Sequence, residues 1–487
     1  MDRVTLTSHA NESDPAVNAD HKRLVFALCV IVGISFVVGA SLNFMLTPML
    51  DDLGLTEAQA GTALAIPSIA SLLIVFVVGR LGDRIGHRRV LVAASVPFIA
   101  GSVLVACAPG MAIVSLGLLL TGAAATAMQI VALGLLQKSI PEGRARVSAF
   151  TSYGMMFPAV YLAVPVLTGC LVGVAPWRIV PALWAIIGLA LPVVTLRLID
   201  RPGEASRVGE LWTPILAGVA LAGAVQAINS GNDNSWTSPQ TLAWTLVALI
   251  SIGACALLVK SSRRTSLSLT PLRSPMMLLL LAGVALVAMA NTLTYVMIGL
   301  EYLYGMSVLG AALYLVPAQA AAVVGSKVVA SWLMRRSGTA RAGQVMLAGF
   351  TLSLLTLVVM SESAPVALLV VSSSLFSLFG FGSITIVNAA VMAGSQTGQS
   401  GMVSAYRGAA SSLGTSLGVV ILGAAISTVV LDFSTAADGQ TPDPAALADG
   451  LQTNGVVGAI IAAIAWIAFT LAARRRTSGR TPTGTTA

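Results

Sequence analysis

A chain of 487 residues that is 56% hydrophobic and only 9% charged is not a soluble domain, in which about a quarter of the residues carry charge. Apolar runs of the length that crosses a bilayer recur from end to end, and helices apolar on every side can be buried only in lipid and in each other. The net charge of +8 is scattered over many short loops, which argues against a nucleic-acid surface and for a topology signal.

Residues 1–21 are polar and mixed in charge, and the first apolar run is long enough to span, so no cleavable signal peptide is expected. Fourteen spans are predicted, at about 24–48, 60–79, 90–108, 111–136, 147–172, 178–197, 211–229, 240–259, 276–299, 308–333, 343–360, 365–392, 403–430 and 455–473. With this count, Arg178 is the basic residue that falls on the side opposite the termini. Lys22, Arg23, Arg80, Arg84, Arg88, Arg89, Lys138, Arg144, Arg146, Lys260, Arg335, Arg336 and Arg474 fall on the terminal side. Acids such as Asp51, Asp52, Glu57, Asp233, Glu362, Asp432, Asp438, Asp443 and Asp449 show the reverse tendency. The asymmetry predicts both termini in the cytoplasm and a multi-pass protein of the cell membrane.

Between the second and third runs lies a glycine-rich basic stretch with one acid, Gly79-Arg80-Leu81-Gly82-Asp83-Arg84-Ile85-Gly86-His87-Arg88-Arg89, read as a tight turn. Two further polar stretches, 198–210 and 260–275, bracket the seventh and eighth runs, which Asn229 to Pro239 joins by a turn on the other side. The predicted organisation is therefore a tail (1–23), six helices (24–200), an inserted pair (211–260), six helices (276–473) and a tail (474–487). A weak internal echo supports two halves: Ser331 to Gly338, with Arg335 and Arg336, follows the tenth run as Gly79 to Arg89 follows the second. Repeated halves with a site between them near the midplane are a common transporter plan.

On these residues the chain resembles the major facilitator superfamily, in its fourteen-span branch of drug:proton antiporters. Gly79 to Arg89 matches the superfamily's loop motif nearly throughout. Trp177-Arg178 resembles the pair that opens the sixth helix, Asn232 to Pro239 the turn of the inserted pair, and Tyr302 to Pro317 the junction of helices nine and ten. Arg407-Gly408 through Gly418 resembles the start of helix thirteen. The resemblance implies an all-α membrane fold of two six-helix bundles plus two inserted helices. It implies secondary active transport of a small molecule, with protons as partner, and a monomer in the lipid bilayer.

The resemblance also assigns roles. Gly79, Gly82 and Gly86 permit close backbone approach. Asp83, at the rim, suits a helix N-terminus and implies a latch to helix thirteen involving Arg84, Arg88 or Arg407; the plainer reading is that these arginines only enforce orientation. His87 is expected to be solvated. The family's acid in helix one is missing, since Val37-Val38-Gly39-Ala40-Ser41 has none, and so is its arginine in helix four. Glu301 is then the best carboxylate for proton coupling, though an exposed loop acid is the alternative. Pro158, Pro165 and Gly169 resemble a degraded antiporter motif and mark a bent gating helix. Polar or adaptable cavity candidates are Asn43, Met128, Gln129, Tyr153, Met156, Asn291, Tyr295 and Asn388, with Lys327 either touching substrate or snorkelling to the surface. A lining poor in charge favours a neutral, amphipathic or anionic organic molecule.

Cys29, Cys107, Cys170 and Cys255 lie inside spans without metal spacing and read as packing residues. The sequence contains no phosphate loop, metal cluster or nucleophile triad, so neither enzymatic activity nor a cofactor is expected. Three functions fit: a proton-coupled exporter, an uncoupled facilitator or importer of one metabolite, and a transporter-like receptor that no longer transports.

Overall fold

The computed structural model describes residues 15–54, 57–199, 210–233, 235–261, 269–396, 398–427 and 444–478. Asp432, Asp438 and Asp443, and most of the two polar connections around the inserted pair, lie outside them.

The described residues are helical throughout the bundle. In chain order the helices are α1 (Pro15–Leu53), α2 (Glu57–Ile85), α3 (His87–Ala106), α4 (Met111–Ser139), α5 (Arg144–Val172), α6 (Ile179–Leu198), α7 (Trp212–Asp233) and α8 (Pro239–Ser261). Then come α9 (Pro275–Leu303), α10 (from Val308), α11 (to Val359), α12 (Val366–Ala393), α13 (Ser400–Ser427) and α14 (Pro444–Ser478). Twelve of the described helical stretches are long and apolar enough to cross a bilayer. One of them, Gly310–Val359, breaks at Gly338 (φ 76°, ψ 165°), where α10 gives way to α11. A left-handed backbone is cheap only for glycine, so this residue places the break. The 28-residue α13 is not among the twelve. At about 1.5 Å per residue it is nevertheless long enough to span.

Local sequence explains several boundaries. Ser274 accepts from the Met277 N–H with Pro275 in the first turn of α9, and Ser307 accepts from the Gly310 N–H at the start of α10. Both are N-caps satisfying donors that the helix itself cannot. One reading of the sequence needs correction. Residues 79–85 are not a turn: α2 runs through Ile85, and Gly86 alone (φ 97°) separates it from α3. Leu81 and Ile85 pack on the core, so the apolar stripe of α2 continues past the first glycine.

The inserted pair packs α7 against α8, and α7 in turn lies against α2 and α13. Gly223 of α7 abuts Ala248 of α8, and Gly218 abuts the Leu73 backbone of α2. The pair thus covers the seam at which α2 and α13 bring the two halves together. The outward surface of α8 is apolar, with Leu246, Leu249, Ile250 and Leu257 all exposed, as a lipid-facing helix requires.

At the end of the bundle opposite the basic loops, Asp52 on α1 ties α6 and α3 together. It accepts from the Trp177 indole N–H at 3.0 Å and pairs with Arg178, whose other guanidinium nitrogen donates to the Ala108 carbonyl at 2.9 Å. The Arg178 guanidinium and the Trp177 indole hold the Asp52 carboxyl below its ordinary value of 3.8. A depressed carboxylate contributes stability above its unfolded pKa and loses it as the pH falls through the folded one. Acidification below about pH 4 is therefore expected to lower the melting temperature of the native protein more than that of Asp52→Asn. Parallel acid profiles for the two would exclude the tie.

Candidate functional site

The halves meet in two places at the basic end. The first joins α2 to α13. Both oxygens of Asp83 accept from the backbone, the Gly401 N–H at 2.8 Å and the Met402 N–H at 3.0 Å. These are orphan donors of the first turn of α13, and a carboxylate there also meets the positive end of the helix dipole. The carboxylate reaches them because Gly79, one turn earlier on α2, has no side chain. A Cβ on Gly79 would sit 2.7 Å from the Gly401 carbonyl oxygen and 2.8 Å from Ala405 Cβ. Asp83 thus caps a helix that begins more than 300 residues further along the chain.

Two of the cationic residues expected beside Asp83, Arg88 and Arg407, have other partners. Arg88 donates to the Leu196 carbonyl at 2.9 Å, within the first half. Arg407 lies within 3.5 Å of the Asn388 side-chain oxygen, joining α13 to α12. His87 is not solvated, contrary to expectation. It is 3% exposed, its ring packs beside Gly82 and Gly134, and its Nε2 has no hydrogen-bond partner. The turn is only one residue long, so position 87 begins α3 inside the bundle rather than sitting in a loop.

The second contact joins α5 to α10 and α12. The Lys327 ammonium donates to Ser152 Oγ at 2.5 Å and to the Ser148 carbonyl at 3.3 Å. Gly154 of α5 lies against Thr385 of α12. One turn further along α5, Phe157 stacks on Tyr161 at 4.3 Å and on Phe381 of α12 at 5.6 Å, and meets Phe36 of α1 edge-on at 5.2 Å. This aromatic layer crosses between the halves.

On the far side of that layer, away from the basic end, lies a cavity of about 200 Å3 between the halves. Its walls come from α1 (Asn43), α5 (Tyr161, Pro165), α9 (Thr294, Met297) and α10 (Gln319). Gln319 is 8% exposed and its side-chain oxygen has no partner, so an acceptor is available to a guest. Among the described residues no acid or base lines this cavity.

Of the residues singled out in the sequence, Asn43 and Pro165 line the cavity; the others lie elsewhere. Tyr153 is turned to the Gln129 backbone, its hydroxyl donating to that carbonyl at 3.2 Å. Tyr295 donates to the Val419 carbonyl at 2.8 Å and ties α9 to α13. Asn291 is exposed and accepts from the Leu293 N–H in a local turn. Asn388 is buried beside Arg407, and Lys327 lies in the α5–α10 contact. Glu301 sits half-buried in the π-helical end of α9 and is not part of the cavity wall. Pro158 is buried just past a break at Met155 that divides α5, and the Gly169 carbonyl accepts from the Gly173 N–H at the helix end. Tyr161, Gln319 and the aromatic layer went unnoticed in the sequence. The Phe157–Tyr161 spacing of one helical turn was the available signal.

Two helical bundles meeting around a central cavity, joined at one end by contacts between the halves, define a membrane transporter. The family model described as Major Facilitator Superfamily matches residues 28–419, and the chain belongs to that superfamily. It is similar to the multidrug resistance protein Stp of Mycobacterium tuberculosis, with 26% identity over 371 residues, covering 74% of this chain and 67% of that one. It is also similar to the tetracenomycin C resistance and export protein of Streptomyces glaucescens, with 26% identity over 364 residues, covering 73% and 66%. Among solved structures, the human organic anion transporter MFSD10 superposes with a TM-score of 0.63 at 11% identity, covering 94% of this chain and all of that one. At that identity the likeness is one of fold.

Proposed function

We propose that the protein is a proton-coupled exporter of neutral, amphipathic or anionic organic molecules, in the fourteen-span branch of drug:proton antiporters, acting as a monomer with both termini in the cytoplasm. The observation that carries this reading is the arrangement of the two ends: the basic end is closed by Asp83 on α13 while the cavity lies beyond the aromatic layer. With the basic end cytoplasmic, this is the state from which an exporter releases cargo outward. The named relatives, a multidrug resistance protein and an antibiotic export protein, support the direction. The division into residues 24–200, 211–260 and 276–473 belongs to the same reading, with α7 and α8 as an accessory pair.

The cargo class follows from the wall. Asn43, Tyr161, Thr294 and Gln319 offer hydrogen bonds, the remainder is apolar, and among the described residues no fixed charge is there to select a cation. The gate is proposed as Gly79, Gly82, Asp83 and Gly86, with Arg84, Arg88 and Arg407 holding the helix ends in place. Pro158, Pro165 and Gly169 form the bending helix. Gln129, Tyr153, Asn291, Tyr295, Lys327 and Asn388 are kept as candidates for the wall of the opposite state, which the same helices would line once the basic end parts.

Glu301 is the proposed proton acceptor, and its place outside the cavity wall favours a second reading, an uncoupled facilitator. Purified protein in liposomes with an internal pH dye separates the two. A compound-dependent pH change that Glu301→Gln abolishes is the expected outcome. A change that survives the substitution rejects Glu301 as coupler. Flux of a labelled compound without any pH change selects the facilitator.

A further inference from the structure

The two lateral seams between the halves are not alike. The inserted pair covers the α2–α13 seam. Beside the α5–α10 seam a groove of about 710 Å3 runs along α1 and α5, from His21 and Lys22 at the basic end to Gly33 and Val160 in midspan. Its walls are almost entirely apolar, and Phe26 is 63% exposed, so the groove opens toward hydrocarbon. Ser148 and Ser152 supply hydroxyls near its closed side, and Lys327, reaching across from α10, donates to Ser152 Oγ and the Ser148 carbonyl.

On the α10 side of that ammonium lies a second hollow of about 380 Å3, lined by Lys327, Val328, Ser331, Trp332, Arg335 and Arg336. The Arg336 guanidinium lies over the Trp332 ring at 5.4 Å. Among the described residues, no acid lines either hollow. Among the described residues, Lys22, Lys327, Arg335 and Arg336 have no ion-pair partner. Cations at the border of the hydrocarbon are costly without a counter-ion. Basic pockets between helices on this side of a membrane take anionic head groups, and the apolar groove beside the cations is shaped for a chain.

We propose that the α5–α10 seam binds an anionic phospholipid from the leaflet at the basic end, its phosphate held by Lys327, Arg335 and Arg336 and an acyl chain lying in the α1–α5 groove. Lys327 is already bonded to α5, so the lipid joins the two halves at the seam that the inserted pair leaves bare. It acts as a clamp on the closed basic end, complementary to Asp83 on the opposite seam.

Native mass spectrometry of the full chain in detergent tests this with dioleoyl phosphatidylglycerol against dioleoyl phosphatidylcholine. The native protein is expected to retain phosphatidylglycerol preferentially. Arg335→Gln with Arg336→Gln is expected to weaken it about fivefold per charge removed. Gly33→Ile fills the groove from a position where a Cβ meets nothing closer than 3.9 Å, so the fold is kept and long-chain binding falls in the same way. Equal retention of the two lipids by the native protein, or unchanged retention in both variants, overturns the site. A third arm uses dodecyl phosphate. If this single-chain anion displaces phosphatidylglycerol and is itself carried across proteoliposomes, the occupant is cargo and the lipid assignment fails.

Discussion

Asp83→Asn is expected to abolish most transport while leaving the protein folded in the membrane. The carboxylate holds two backbone donors of α13. An amide offers one acceptor oxygen, turns an N–H toward a donor, and removes the charge that favours the helix N-terminus. A charge-assisted hydrogen bond contributes about 1.5–3 kcal/mol, so the balance between closed and open basic ends should move about ten- to a hundredfold toward open. The population shift has its own readout. Ser404, in the second turn of α13, is fully buried in the closed state, and a cysteine placed there should be alkylated faster in the Asp83→Asn background. Wild-type transport at matched surface expression, together with unchanged alkylation, would remove the latch from the mechanism.

Gly79→Val is expected to reach the same end by a different force. The Cβ alone would lie 2.7 Å from a backbone oxygen and 2.8 Å from Ala405 Cβ, neither of which can swing aside. Overpacking of this kind costs about 1–3 kcal/mol, and here it is relieved simply by parting α2 from α13. The basic end then stays open and turnover falls at least as far as for Asp83→Asn, with Gly79→Ala intermediate. Because both substitutions break one closure, their effects on Ser404→Cys alkylation should be less than additive. Additive effects would mean that the glycine contact and the carboxylate cap act in separate steps.

Much of the architecture was legible without coordinates. Hydropathy is a local property, repeated along every helix, and it is enough to specify an all-helical fold of long apolar helices. The glycines and the acid of the stretch from Gly79 to Gly86 were visible for the same reason: a backbone that must approach another backbone needs glycine whatever it meets. Even so, the extent of α2 was misread, because a polar face at the membrane rim looks like a loop when the stripe of Leu81 and Ile85 is overlooked.

The identity of the partners was another matter. That Asp83 meets the amides of Gly401 and Met402, with Arg407 turned instead to Asn388, depends on helices hundreds of residues apart. Amides and tyrosines in midspan signal that a partner exists but not which one. Tyr153 and Tyr295 turned out to be bonded to neighbouring backbones, whereas Gln319, unremarkable in sequence, keeps an unpaired oxygen in a cavity wall. His87 was placed in solvent by its basic neighbours and in the interior by the one-residue turn before it. The sequence by itself determined where the chain crosses the membrane, because that is a matter of transfer free energy summed over consecutive residues. Which polar group closes a gate, lines a cavity or faces lipid was decided only by the tertiary structure, because packing direction around each helix is set by every neighbour at once.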